Sequence, residues 1–248
     1  MNSIFITGTD TDIGKTTVSI LLLEKLNQLG YKTVALKPIA SGCSQDKNGH
    51  WINDDAIALQ AAASLWMPYG IVNPIALKEP VAPHLAAKLM GKDLSAIDVS
   101  NTINASIQSE ADINLIEGVG GWSVPLNNTE LFSEVIAGLR IPVILVVGIK
   151  LGCLNHAILT YHNIVRMKVP LVGWIANCVE SNVLMCEENI QTLKHWIAAP
   201  CLGVVPFGLT NIQENSVLHF DFMSDYFLNV VSPAEKSLML PSAIFNNR

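Results

Sequence analysis

The chain has 248 residues, half of them hydrophobic and only 15% charged, with a formal net charge of −6. That length suits one large α/β domain or two small ones, and the low charge excludes a disordered bulk. The acidic balance argues against a general nucleic-acid binder, which would carry a basic face. A membrane span is excluded as well, because the longest apolar stretch, around Ile141 to Ile149, contains Pro142 and Gly148 and falls short of the ~20 residues a bilayer needs.

The apolar run Ile4 to Thr7 reads as a buried strand, followed by Gly8-Thr-Asp-Thr-Asp-Ile-Gly14-Lys-Thr-Thr17 and a helix from Thr16 to Gln28. A strand, a glycine-bounded loop ending in Gly-Lys-Thr and a helix form the arrangement that holds a nucleoside triphosphate. Loop and helix N–H groups converge on the phosphates, Lys15 reaches the β- and γ-phosphates, and the Thr16 hydroxyl can ligate Mg²⁺. Five residues, Thr9 to Ile13, separate Gly8 from Gly14. The ordinary loop has four there, so strand and helix context carries the assignment. A plain Gly-Thr-Asp turn with a capping Asp or Thr is the bland alternative.

Strands are expected next at Thr33 to Leu36, Ile113 to Ile116, Val143 to Val147, Leu171 to Ala176 and Cys201 to Val205. Their apolar runs are continuous rather than alternating, as when both sheet faces are covered. Helices are expected at Asp55 to Leu65, His84 to Met90, Val99 to Gln108, Glu130 to Leu139, Asn155 to Met167 and Cys186 to Trp196, capped by Asp54 or Asp55, Ser100, Thr129 and Asn155. Residues 44–53 read as an exposed loop. Strand–helix alternation gives a P-loop-like three-layer α/β fold on a mostly parallel sheet, with ligands at the carboxyl ends of the strands. No linker divides the chain, so one domain over 1–248 is expected, with the last segment, about 214–248, of uncertain order. Asp10 and Asp12 come early and no cationic segment opens the chain, so no secretory signal is expected. The five cysteines show no CxxC pair and fit reduced thiols in a cytoplasmic protein.

Three further segments follow strands and fall near the loop. Lys37 closes the second strand, ahead of Ser41-Gly42, where a cation can neutralise phosphoryl oxygens or a substrate carboxylate. Glu117 ends the strand before Gly118-Val-Gly120-Gly-Trp122, where P-loop proteins hold Mg²⁺. Of Asp54 and Asp55, one caps a helix and the other is open to a metal role. Lys150 to His156 presents a glycine and a helix start that either holds a carboxylate or merely connects strand to helix. His84 and His156 read as satisfied structural histidines in apolar settings. Trp122, Trp174 and Trp196 read as core or pocket walls.

Together, Thr7-Gly-Thr-Asp-Thr-Asp-Ile-Gly-Lys-Thr16, Lys37-Pro-Ile-Ala-Ser-Gly42, Glu117-Gly-Val-Gly-Gly-Trp122, Val146-Val-Gly-Ile-Lys-Leu-Gly-Cys-Leu-Asn-His-Ala157 and Gly173-Trp-Ile-Ala-Asn177 closely resemble the dethiobiotin synthetase family, from about Ser3 to Pro206. The longer loop spacing is the one that family uses. The resemblance implies an ATP-dependent cyclo-ligase acting on 7,8-diaminononanoate and CO₂. One amine becomes a carbamate, its oxygen takes the γ-phosphoryl of ATP, and the second amine closes the ureido ring of dethiobiotin. It implies phosphate binding by Asp12, Ile13, Gly14, Lys15, Thr16 and Thr17, and Mg²⁺ on Thr16, Asp55 and Glu117. Lys37 and Lys15 would act catalytically. Nucleotide contacts would come from Gly118, Val119, Gly120, Asn177, Cys178, Pro206, Phe207 and Gly208. Substrate contacts would come from Thr11, Ser41, Gly152, Cys153, Leu154 and Asn155, the last four reaching across a homodimer interface. Asp12 stands where the family commonly has glutamate, and a ribose-contacting glutamate should fall near Gln213 or Glu214.

Two rivals use the same fold. A deviant P-loop switch ATPase of the partitioning or septum-placing kind typically carries a second lysine at the start of the loop, where this chain has Gly8-Thr9-Asp10. Its membrane-associating members would add a basic amphipathic C-terminal helix, yet residues 221–248 hold only Lys236 and Arg248 as cations. Corrin amidases need a glutamine-hydrolysing domain for which this chain is too short.

Overall fold

The computed structural model describes residues 2–209, and the expectations for the C-terminal segment and for Gln213 and Glu214 lie outside them. In chain order the elements are β1 (Ser3–Gly8), α1 (Lys15–Gln28), β2 (Thr33–Leu36), β3 (Ile39–Ala40), β4 (Ser44–Gln45), β5 (Trp51–Ile52), α2 (Asp54–Ala62), α3 (Tyr69–Val72), β6 (Ile75–Ala76), α4 (Pro83–Leu89), α5 (Ala96–Ser106), β7 (Ile113–Glu117), α6 (Phe132–Leu139), β8 (Val143–Ile149), α7 (Cys153–Arg166), β9 (Leu171–Cys178), α8 (Cys186–Trp196) and β10 (Cys201–Val205).

Six strands form one parallel sheet in the order β10-β9-β8-β1-β7-β2. The chain fills the β7 side of β1 and then crosses to the β8 side, so the strand order reverses at β1. Ligands of open α/β sheets bind beyond the carboxyl ends of the strands at such a reversal. The side-chain period of two sends Ile4 and Ile6 of β1 to one face, against Val18, Leu21, Leu22 and Leu26 of α1. Phe5 goes to the other face, against Trp122, Phe132 and Ile136, and meets the Phe132 ring edge-on at 5.5 Å. Leu145, Val147 and Trp174 pack under α7 and α8. Burial on both faces is why the strands read as unbroken apolar runs.

All six expected strands and all seven expected helices are present, with ends shifted by up to three residues. The expected caps are not the ones used. Asn53 caps α2 by accepting from the Ala56 N–H at 3.2 Å. Ser95 caps α5 by accepting from the Asp98 N–H. Glycines occupy the N-cap positions of α1 and α7, at Gly14 and Gly152. The N–H of Leu131, at the N-cap of α6, donates to Glu134 at 2.8 Å. A missing side-chain cap costs about 1 kcal/mol, whereas α1 buries Leu21, Leu22, Leu23 and Leu26 at roughly 1.5–3 kcal/mol each, so packing decides that helix. Residues 44–53 are not a plain loop but carry the antiparallel pair β4–β5. Trp122 and Trp174 are buried, but Trp196 is half exposed and walls no core. His156 is exposed rather than apolar in setting, and the buried Nδ1 of His84 has no hydrogen-bond partner among the described residues.

Candidate active site

β1 delivers the chain at Gly8 to the sheet's carboxyl edge, and the loop folds back over it. The fully buried Ile13 side chain plugs the gap between β1 and β8. A Cβ on Gly8 or Gly148 would come within 2.7 or 2.6 Å of it. Ile13 can therefore offer a ligand only its backbone. Asp12 adopts φ 55, a left-handed conformation that Asp visits more readily than most non-glycine residues. Gly14 has φ 76, and a Cβ there would lie 2.2 Å from the Asn177 amide nitrogen. That amide reaches over from the end of β9 and donates to the Ile13 carbonyl at 2.7 Å. Lys15, buried at the first residue of α1, donates to the Asp10 carbonyl at 2.9 Å. Burial, aided by repulsion from Lys37, pulls the Lys15 ammonium down to about 8 against the attraction of Glu117, Asp55 and Asp12.

Beside the loop lies a charged cluster drawn from four elements. Lys37, just beyond β2, sends its Nζ to Glu117 Oε1 at 2.5 Å and to Asp55 Oδ2 at 3.1 Å. The Thr16 hydroxyl, on the first turn of α1, donates to the same Glu117 oxygen at 2.8 Å. Glu117 is wholly buried at the end of β7, and its Oε2 has no partner among the described residues. Burial alone would lower the Lys37 ammonium, but the charges of Glu117 and Asp55 and hydrogen bonds to both hold it above the ordinary lysine value.

A buried carboxylate oxygen without a partner, one further carboxylate and a hydroxyl make an all-oxygen donor set that suits Mg²⁺. Among the described residues no three His, Cys, Asp or Glu side chains group as metal ligands. A cation here would therefore rely on Thr16 and on phosphate oxygens besides Asp55 and Glu117, which is the usual Mg²⁺ habit at nucleotide sites.

The other expected site residues divide by side-chain access. Gly118 has no room for a side chain, since a Cβ would meet the Phe5 ring at 2.8 Å, while a Cβ on Gly120 would lie 3.7 Å from the Thr11 hydroxyl. Gly118, Val119 and Gly120 thus form a backbone wall beside the phosphate loop. Thr17 follows Thr16 on α1, and Ser41 follows β3 with its carbonyl 3.5 Å from the Asn53 amide nitrogen. Cys178 ends β9, and Pro206, Phe207 and Gly208 follow the adjacent β10, with Phe207 exposed. Gly152, at φ 92, opens α7 without a capping side chain, and Cys153 is buried, so it can offer only its backbone. Leu154 is partly covered and Asn155 is open to solvent. Sequence reasoning missed Asn53, Tyr69 and Asn73, which are hydrogen-bonded around Lys37, and the Lys150–Asp10 ion pair at 3.2 Å on the loop. The one available signal was Asn73 before Pro74, which reads only as a turn.

A family model described as an AAA domain matches residues 2–213. The chain is 48% identical over 202 residues to the ATP-dependent dethiobiotin synthetase BioD of Cellvibrio japonicus, covering 82% of this chain and 88% of the relative. It is 45% identical to the protein of that name from Pseudomonas aeruginosa, strain UCBPP-PA14, over 83% and 90% of the two chains. Among solved structures it resembles the MinC:MinD cell division complex of Aquifex aeolicus, at TM-score 0.52 and 14% identity over 83% and 81% of the chains. A ParA family ATPase from Chlorobium tepidum matches at TM-score 0.50 and 13% identity, over 92% and 98%. Those structures share the P-loop α/β fold and no more. The level and extent of identity to the curated relatives decide the family: this chain belongs to the ATP-dependent dethiobiotin synthetases, a family of cyclo-ligases.

Proposed function

We propose that the protein makes dethiobiotin from 7,8-diaminononanoate, CO₂ and ATP, releasing ADP and phosphate. The observation that carries the reading is the buried Lys37–Glu117–Asp55–Thr16 cluster beside the phosphate loop, in a chain 48% identical to a named synthetase. An amine of the substrate adds to CO₂ and loses a proton, giving a carbamate. The carbamate oxygen attacks the γ-phosphorus, ADP leaves, and a carbamic–phosphoric anhydride forms. The second amine attacks the activated carbon, loses a proton, expels phosphate and closes the ureido ring.

The residues supply charge and position. Backbone N–H groups of residues 12–17 and the Lys15 ammonium hold the phosphates, and Lys37 neutralises charge on the transferring oxygens. Thr16, Asp55 and Glu117 would hold Mg²⁺, which when bound screens the phosphate charge and orients the γ-phosphoryl. Asn177, Cys178 and Pro206 to Gly208 line the base pocket, and Thr11 and Ser41 face the diamine. Holding two amines and a phosphoryl group in one geometry contributes much of the rate.

Gly152 to Asn155, with the uncapped start of α7, would bind the substrate carboxylate across a homodimer interface. The exposed Leu151 and Leu159 support an interface on that side. A cytoplasmic setting is supported by five free cysteines, and among the described residues no helix is long and apolar enough to cross a membrane.

The test is to mix purified protein with diaminononanoate, bicarbonate, Mg²⁺ and ATP and to measure dethiobiotin against phosphate. Equal amounts are expected. Phosphate without ureido product would replace this reading with the switch ATPase.

A further inference from the structure

Between Lys37 and Asp55 runs a circuit of hydrogen bonds, joined through the first turn of α2, whose middle members Tyr69 and Asn73 do not bond to the charged side chains of the cluster. Asn73, almost fully buried after α3, donates its amide N–H to the Lys37 carbonyl at 2.7 Å. The Lys37 N–H donates to the Val72 carbonyl at 2.7 Å, so both main-chain polar groups of Lys37 are held by the end of α3. Because the Asn73 amide nitrogen is turned to that carbonyl, its oxygen faces Tyr69 and accepts the phenol O–H at 3.0 Å. The Tyr69 oxygen then accepts the Asn53 N–H at 2.8 Å. Asn53 in turn caps α2, the helix whose first turn carries Asp55. Asp55 closes the ring by accepting from Lys37 Nζ at 3.1 Å.

The Asn53 N–H can only donate, so the Tyr69 oxygen accepts from it and the phenol proton goes to Asn73, which fixes the polarity of the path. The direct Lys37–Asp55 contact is one ion pair whose acid is half exposed, and such contacts alone hold geometry weakly. The partly buried path through Tyr69 and Asn73 is a second link between the start of α2 and the end of β2. Burial raises the Tyr69 phenol pKa, which keeps the donated proton in place.

We propose that Tyr69 and Asn73 are positioning residues, which hold Asp55 and Lys37 at a fixed separation for the phosphoryl-transfer site. The inference rests on the reading of Asp55 and Lys37 given above. Their partner chemistry is a Mg²⁺–triphosphate, and losing the circuit leaves Asp55 free to drift from it.

The test is a double-mutant cycle on the full chain between Tyr69→Phe and Asp55→Asn. Two quantities are read: turnover, and the Mg²⁺ concentration that half-saturates binding of a fluorescent ATP analogue. Urea midpoints of all four proteins are measured alongside. Tyr69→Phe is expected to raise the Mg²⁺ requirement about tenfold and to lower kcat about tenfold in the parent, and to change either less than twofold beside Asp55→Asn. Equal losses in both backgrounds would make Tyr69 a stability residue and overturn the proposal. No change in the parent would do the same. If Asp55→Asn alone alters neither quantity, the metal role of Asp55 falls first and takes this inference with it. Asn73→Ser cuts the same circuit on its other side and must reproduce the pattern, which keeps the test decisive should one variant fold poorly.

Discussion

Replacing Lys37 by methionine keeps an unbranched stem but removes the cation bonded to Glu117. That carboxylate is wholly buried, and among the described residues only the Thr16 hydroxyl would still reach it. Removing one member of a buried ion pair costs about 3–5 kcal/mol, against a total of about 5–15 kcal/mol for a domain, so the variant stays folded with a large shift in its unfolding midpoint. Adding Glu117→Gln, which brings a neutral amide to the same place, should recover most of that loss, because no uncompensated charge is then buried. Urea unfolding without nucleotide or Mg²⁺, at one pH and one protein concentration, measures the parent, both single variants and the double variant. A deficit under ~1 kcal/mol for Lys37→Met, or strictly additive single effects, would refute the claim that this pair is a coupled buried unit.

Lys37→Ala should lower kcat more than tenfold while circular dichroism remains that of the parent, and near-normal turnover would remove Lys37 from the mechanism. Gly14→Ala imposes left-handed strain of about 1 kcal/mol and pushes the Asn177 amide off the Ile13 carbonyl, so ATP affinity should fall at least tenfold by calorimetry; an unchanged affinity would contradict the loop geometry described here. Burial pulls the Lys15 ammonium down to about 8 in the free protein, and a bound polyphosphate raises it, so ATP binding at pH 8 should take up about half a proton; an absence of uptake, by calorimetry in buffers of different ionisation enthalpy, would refute the assignment.

The strands were legible because a doubly covered strand writes itself as a short apolar run bounded by turn residues, as Val143 to Val147 does. Helices were legible as elements but not at their ends. Asn53 and Ser95 cap where Asp54 or Asp55 and Ser100 were expected, because several adjacent residues can serve chemically and only tertiary packing selects one. Lys37 and Glu117 could be found because each stands at the end of an apolar run, and the fold brings such ends together. Tyr69 and Asn73 could not. They stand four residues apart and bond to each other, but the bonds that tie them to Asn53 and to Lys37 span 16 and 36 residues, and nothing local marks those partners. The 44–53 hairpin and the β3–β6 pair, at two residues per strand, are too short to leave a pattern.

The same sheet serves MinD and ParA proteins, so function has to be argued from what stands at its carboxyl edge. In this chain the loop opens Gly8-Thr9-Asp10, and Lys150 pairs with the Asp10 carboxylate at 3.2 Å. The phosphate side is left to two buried lysines whose pKa values move in opposite directions. Lys37 is bonded to two carboxylates, which offset its burial and keep it charged. Among the described residues Lys15 donates only to a main-chain carbonyl, so burial wins and its ammonium falls to about 8, which leaves it mostly charged at neutral pH. Under the proposed reaction Lys37 is a charge whose position is set by its own chain, available to whichever oxygen carries the transferring phosphoryl group. An arriving anion raises Lys15 in turn, so occupancy of the phosphate loop is coupled to proton uptake chiefly above neutral pH.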